Sequence, residues 1–349
     1  MTPSEERWLA ELQRGIPLEP RPFEALACEL GCSEDDLVEF VSRCRREGLV
    51  RRFGAVFDTR RLGYRSVLCA VRIPPFELDA AAAKITPLVG VTHCYVREPQ
   101  EVEKLNGSCA SSLQPFNAST VQLPNLWFTL SYPSEVFAAM ADEVKARLAP
   151  HAVQFLPATK RYKVDVVFGA ATRARDESTE DGSPVTAQDR RIIGAFQGDT
   201  EVRVDYFSAL AERIGMREWD LLSTLEIWRR KGRLKRIGLL LAHRTAGYVA
   251  NGMCCWRVDG DTTETGRALA ACDEVTHCYE RPFVPEFAYN LFAMIHCTST
   301  EEAQAQFARL HETVERSLNA TGKVPSIMLL STKEYKKTSM TFFARPGQK

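Results

Sequence analysis

Along residues 23–48, FEALACELGCSEDDLVEFVSRCRREG, and again along 206–232, YFSALAERIGMREWDLLSTLEIWRRKG, apolar positions recur at helical spacing and break at one glycine, Gly31 or Gly215. Each stretch predicts two helices joined by the tight turn of a helix-turn-helix. Ser33 stands where it can cap the second helix, with Asp36 three residues on favouring its N-terminus. A short basic strand follows each pair, LVRRFGAVFD at 49–58 and RLKRIGLLLA at 233–242, as the wing of a winged helix would. The rest of each half then alternates strand, helix, strand, strand, helix, strand. In the first half these are residues 65–74, 77–88, 90–98, 125–133, 134–148 and 152–168; in the second they are 252–259, 263–272, 274–282, 289–297, 299–314 and 326–343. That order is the split βαββαβ, ferredoxin-like arrangement, so the expected fold class is α+β.

The same pattern appearing twice reflects a duplication. The pentapeptide VTHCY occupies residues 91–95 and 275–279, and Gly48, Arg52, Gly54, Gly63 and Tyr64 recur at one constant offset as Gly232, Arg236, Gly238, Gly247 and Tyr248. Between the copies, residues 169–190 hold no large apolar side chain and read as a linker. The expected domains are winged helix-turn-helix units at 1–62 and 191–246 and ferredoxin-like domains at 63–168 and 247–349. The copies differ in one loop: the connection from His93 to Asn125 is much longer than that from His277 to Asn290. The extra segment, LNGSCASSLQPFNASTVQL, reads as a lid or as a block on a site made redundant by duplication.

Forty-five basic and forty-five acidic residues cancel, which removes any global bias toward nucleic acid or membrane. No apolar run approaches the roughly 20 residues of a membrane span, and no secretory leader opens the chain, so the expectation is a cytoplasmic protein with no membrane partner. Eleven cysteines scattered through the expected elements fit buried thiols in a reducing compartment better than a disulfide framework. Cys28 and Cys32 lie one helical turn apart, but no second pair or histidine accompanies them as a metal site would need.

A winged helix followed by a ferredoxin-like sheet resembles the Lrp/AsnC regulators. Within that superfamily the string LVRRFGAVFDTRRLGYRSVLCAVRIP, followed by GVTHCYVRE and NLWFTL, is similar to the siroheme decarboxylases, and the resemblance runs through both halves. Those enzymes occur as paired or fused homologous subunits, so the resemblance implies a fused pair whose halves form an intrachain pseudo-dimer, with further association into a homo-oligomer left open. It also implies a carboxy-lyase that removes two acetate carboxyl groups from siroheme to give didecarboxysiroheme, for heme d1 or for heme b by an alternative route. Siroheme would be the small-molecule partner, with no cofactor beyond the iron that the substrate carries.

Such a substrate, flat and rimmed by carboxylates, needs cationic forks at its edge, apolar walls on its faces and an acid that protonates the carbon losing CO2. In a strand, residues i, i+2 and i+4 share a face, so His93, Tyr95 and Arg97 point together, as do His277, Tyr279 and Arg281, while Cys94 and Cys278 point away. Arginine could hold a carboxylate, while histidine or tyrosine donates a proton or the imidazoles of His93 and His277 ligate the substrate's iron. The alternative is a ring pair packed between sheets. Arg51 and Arg52, with Lys235 and Arg236 in the second copy, form another candidate group on the wings, where at most one of each adjacent pair can address a given pocket. Lys160, Arg161 and Lys163, answered by Lys333, Lys336 and Lys337, could grip rim carboxylates or simply coat an exposed strand. Trp127 and Phe128 read as core, and His296 has no counterpart in the first half, where Ser131 stands. The second half, with its short loop, is the expected working half.

A regulator would present the second helix of each pair to DNA, but here that helix opens with Glu34, Asp35 and Asp36 in one copy and with Glu218, Trp219 and Asp220 in the other. Carboxylates facing a polyanion are unfavourable, so no nucleic-acid partner is expected. A tetrapyrrole-binding protein without catalysis would use the same pocket.

Overall fold

A computed structural model of the chain describes residues 1–100, 123–164, 184–242, 247–319 and 323–343. The first repeat runs α1 (Pro3–Arg14), α2 (Pro22–Leu30), α3 (Glu34–Arg46), β1 (Val50–Phe57), β2 (Tyr64–Val71), α4 (Leu78–Ile85), β3 (Val91–Pro99), β4 (Leu126–Pro133), α5 (Phe137–Leu148), β5 (Val153–Leu156) and β6 (Lys160–Val164). The second runs α6 (Ala187–Phe196), α7 (Tyr206–Arg213), α8 (Glu218–Arg230), β7 (Leu234–Leu241), β8 (Ala250–Trp256), α9 (Thr263–Ala271), β9 (Val275–Glu280), β10 (Leu291–Cys297), α10 (Thr300–Ser317) and β11 (Ser326–Lys337).

The chain divides into two compact units, and the division cuts across the repeats. The helical unit gathers residues 1–64, the described part of 167–246, and residues from Met340 on. Gly31 at φ 73° and Gly215 at φ 66° make the expected helix-turn-helix turns, a left-handed conformation that costs other residues energy. Ser33 Oγ accepts from the Asp36 amide at 3.1 Å, the expected cap. Each helix pair is preceded by a third helix that the sequence expectation lacks. Thr2 and Glu5 cap α1 reciprocally, and Thr186 and Asp189 do the same for α6. α6 therefore begins inside the expected linker, whose residues up to 183 lie outside the described ones.

The wings also differ from expectation. β1 and β7 pair with each other, antiparallel, with Gly54 opposite Gly238. One core then serves both repeats, uniting Phe23, Leu37 and Phe53 with Phe196, Tyr206, Phe207 and Leu225. Phe342 packs into this core too, so the tail assigned to the second ferredoxin-like domain ends in the helical unit.

The sheet unit holds one nine-stranded sheet in the order β5-β2-β4-β3-β11-β8-β10-β9-β6. Both expected βαββαβ sets are present, each with its fourth strand beside its first. The joins between them come from strand exchange. β11 pairs with β8 of its own repeat through Leu330, then continues along β3 of the other repeat to Lys337. The single strand expected over 152–168 is instead two: β5 stays with β2, and after Pro157, which has no N–H to donate, β6 crosses to pair with β9. Helices α4 and α5 cover one face of the first repeat's strands, and α9 and α10 cover that of the second. The opposite faces meet in a fourth cluster that includes Trp127, Leu156, Phe287, Phe292 and Ile327.

Candidate active site

The two VTHCY strands place their side chains as the alternation requires. Cys94 and Cys278 are buried under the helices, where loss of water pushes both thiols up to about 12 and leaves them unreactive. On the other face, each histidine, tyrosine and arginine forms a column. In the first, the rings of His93 and Tyr95 lie 6.2 Å apart and the Arg97 guanidinium stands 5.4 Å from the Tyr95 ring. In the second, His277 and Tyr279 lie 6.0 Å apart with their planes within 30°, and Arg281 stands 4.9 Å from the Tyr279 ring. Each imidazole is oriented by its preceding threonine: Nδ1 lies 3.0 Å from Thr92 Oγ1 in one copy and 3.1 Å from Thr276 Oγ1 in the other.

The columns are alike in sequence and unlike in surroundings. Both histidines are partly exposed; the columns differ at the next two positions, where Tyr95 and Arg97 are 6% and 5% exposed and Tyr279 and Arg281 are partly exposed. Arg97 is engaged by the fold: it donates to the Asn251 carbonyl at 3.2 Å, the Leu329 carbonyl at 3.2 Å and the Asn251 side-chain oxygen at 3.3 Å. Acceptors on β8 and β11 thus hold the guanidinium that was expected to fork a substrate carboxylate. Arg281 donates to the Leu156 carbonyl, and its Nε is buried with no acceptor among the described residues. Burial lowers both guanidinium groups to about 10, and both stay protonated at neutral pH.

Lys160 and Lys333, expected at the site, project from the opposite face of the sheet. Lys160 is on the helix-covered side, bonded to Asp261 at 2.7 Å and Thr263 at 3.2 Å, and Lys333 is bonded to Asp79 on α4. These bonds face both lysines toward α9 and α4, as the alternative reading of charges coating an exposed strand allows. Lys163 donates to the Cys272 carbonyl and Lys336 to those of Thr86 and Leu88, which repeats the geometry on the second copy. Arg51, Arg52, Lys235 and Arg236 belong to the helical unit and the columns to the sheet unit. Arg52 donates to the Ala55 carbonyl at 3.0 Å, and burial, reinforced by Arg51 and Arg236, lowers it to about 10. Lys235 acts on Asp58: burial alone would raise that carboxyl, but Lys235 and Arg60 outweigh it.

Trp127 and Phe128 are core, as expected, with the indole donating to the Pro124 carbonyl at 3.0 Å. His296 pairs across the sheet with Asn251, while Met294 is the residue of β10 opposite His277. No group of three or more histidine, cysteine or acidic side chains suited to a metal occurs among the described residues. No helix among them is long and apolar enough to cross a membrane. The expected lid, apart from Leu123, lies outside the described residues. Asn125 and Asn290, ahead of each Leu-aromatic strand, have a structural role that sequence reasoning misses. Asn125 both accepts from and donates to the Ile73 backbone, and Asn290 does the same with Val258, at 2.8–2.9 Å. Their recurrence at the same place in both copies was the available signal.

Comparison with known proteins agrees with this architecture. A model of the AsnC-like ligand binding domain matches residues 61–163 and 245–336, and one of the siroheme decarboxylase NirDL-like HTH domain matches 5–51. A siroheme decarboxylase of Hydrogenobacter thermophilus is 32% identical over 347 residues, covering 97% of this chain and 95% of that one. A siroheme decarboxylase beta subunit of Methanosarcina barkeri is 32% identical over 153 residues, covering 44% of this chain and 96% of its own. Among solved structures, siroheme decarboxylase NirDL in complex with an iron-uroporphyrin III analogue matches with TM-score 0.69 at 28% identity, covering 97% of this chain and 95% of that one. A duplicated helix-turn-helix and AsnC-like plan, a relative matched almost end to end and another matched by half of the chain lead to one conclusion: the chain belongs to the siroheme decarboxylase family, in the form that joins two homologous halves in one polypeptide.

Proposed function

We propose that this chain decarboxylates siroheme, removing two acetate carboxyl groups, and that the column of His277, Tyr279 and Arg281 is where it does so. The observation that carries this reading is the partly exposed second column beside its more buried twin, in a chain matched over 97% of its length by a siroheme decarboxylase. Each turnover converts a ring-bound CH2–COO⁻ and one proton into CH3 and CO2. The overall change is redox-neutral, so no oxidant or reductant is consumed and no cofactor beyond the substrate's own iron enters. Breaking the carbon–carboxylate bond leaves an electron pair on the methylene carbon, and a proton must arrive there from a positioned acid. His277 supplies an imidazole, the side chain best suited to passing a proton, held by Thr276 at Nδ1, and the Tyr279 phenol lies beside it. Arg281 is a permanent cation for a rim carboxylate, backed 5.5 Å away by the buried Phe292 ring.

Anaerobic incubation with siroheme followed by mass analysis tests the proposal, and a product lighter by two CO2 is expected. Siroheme recovered unchanged from a chain that demonstrably binds it would reduce the protein to a carrier.

A further inference from the structure

The exchanged strands carry a difference in charge that the VTHCY motif itself does not. β6 runs along the second column, with Arg161 opposite Tyr279 and Val164 opposite His277. β11 runs along the first, with Glu334 opposite Tyr95 and Lys337 opposite His93. The segments 160–164 and 333–337 are copies of each other, and their helix-side contacts agree. Lys160 and Tyr162 reach Asp261 and Thr262, just as Lys333 and Tyr335 reach Asp79. Cross-strand partners share a face, so Arg161 and Val164 in one copy, and Glu334 and Lys337 in the other, are the residues that β6 and β11 add to the column faces.

We propose that Arg161, contributed by the first repeat, is a carboxylate-binding residue of the second repeat's column, and that Glu334 at the equivalent position excludes the polycarboxylate substrate from the first. This rests on the siroheme reading above and names the residue that selects between the halves. The substrate is an anion at every edge. Beside Tyr279 it meets Arg161 and Arg281, two cations close enough that Arg161 adds to the lowering of the Arg281 pKa. Beside Tyr95 the added charges, Glu334 and Lys337, cancel, and Arg97 already serves three protein acceptors. A guanidinium matches a carboxylate in two parallel hydrogen bonds, whereas a carboxylate there repels it. The working site is then composite: its proton donor comes from one repeat and its second fork from the other, so neither half is sufficient alone.

The test is an anaerobic siroheme titration followed by absorbance, with turnover measured on the same full-length variants. Arg161→Ala should weaken siroheme binding about tenfold or more and raise KM with a smaller change in kcat. Arg161→Lys should recover part of the affinity, and Arg161→Glu should bind more weakly than Arg161→Ala, an ordering by charge that a packing role does not produce. Glu334→Ala should keep the wild-type affinity of the second column and, with the repelling carboxylate gone from beside Tyr95, add a second, weaker siroheme site to the titration; a stoichiometry unchanged from the wild type would remove Glu334 from the account. If the wild type binds and turns over siroheme while Arg161→Ala is unchanged, or if Glu334→Ala loses as much affinity as Arg161→Ala, this inference falls and the decarboxylase reading stands. A wild-type chain with no affinity for siroheme overturns both.

Discussion

Arg97 and Arg281 occupy equivalent positions of a duplicated motif, yet the structure gives them different work, and substituting each with methionine separates the roles. Methionine keeps most of the stem volume and removes the guanidinium. At Arg97 the loss strands three acceptors: the carbonyls of Asn251 and Leu329 and the Asn251 side-chain oxygen. Hydrogen bonds from a charged donor contribute about 1.5–3 kcal/mol each. Against that stands the cost of burying the cation. The fall of its pKa from 12.5 to about 10 corresponds to about 3 kcal/mol. Removing the charge relieves that cost, as replacement of buried ions by apolar groups can. The balance is a net loss of about 2–6 kcal/mol, or roughly 4–24 °C in the melting transition of a unit this size. Arg281→Met gives up the Leu156 carbonyl as a partner and should melt closer to the wild type while binding siroheme about tenfold more weakly. Calorimetry and siroheme titration on both variants give the answer. Equal losses of affinity with unchanged melting in both would refute the division between a structural and a substrate-binding arginine.

His277→Ala should lower turnover by roughly 100-fold, the usual scale for an acid-base group, while His93→Ala costs much less; a dead His93→Ala with a normal His277→Ala would move the chemistry to the first column. Where the wings cross, a Cβ on Gly54 would come within 2.6 Å of the Phe196 and Gly198 carbonyls, and one on Gly238 within 2.4 Å of the Leu12 carbonyl. Gly54→Ala or Gly238→Ala should therefore destabilise the helical unit by about 1–3 kcal/mol in denaturant melts, and wild-type midpoints would contradict the close approach. Buried His311 accepts from the Trp256 indole at 3.2 Å, and burial lowers its pKa from 6.5. Its unfolded form binds a proton more readily than its folded form, so the stability it contributes is present above about pH 6.5 and is lost as the pH falls toward the lowered value. Melts between pH 7 and 5 should show this slope in the wild type and a shallower one in His311→Gln; identical slopes would remove His311 from the account.

What the sequence determined by itself is what local rules decide. A left-handed turn needs Gly31 and Gly215, Ser33 can reach the amide of Asp36, and strand alternation alone sends His93, Tyr95 and Arg97 to one face and Cys94 to the other. Duplication doubled each of these signals and made the βαββαβ order legible twice. Even α1 and α6 were within reach, since Thr2 with Glu5 and Thr186 with Asp189 have capping-box spacing. The tertiary structure decided whatever depends on partners far along the chain. No local pattern says that β1 will pair with β7 of the other repeat, or that β6 and β11 will leave their own repeats, because those pairings are set by which edges and apolar faces remain uncovered once each half has folded. Hence two arginines that follow the same pentapeptide diverge. Arg97 lies where Asn251 and Leu329 present oxygens and is consumed by the fold, while Arg281 lies beside a strand from the other repeat, next to Arg161. The motif set the side chains on each strand, and the exchange of strands between halves set which charges stand beside each copy, since an electrostatic environment belongs to the assembled sheet and to no single segment of it.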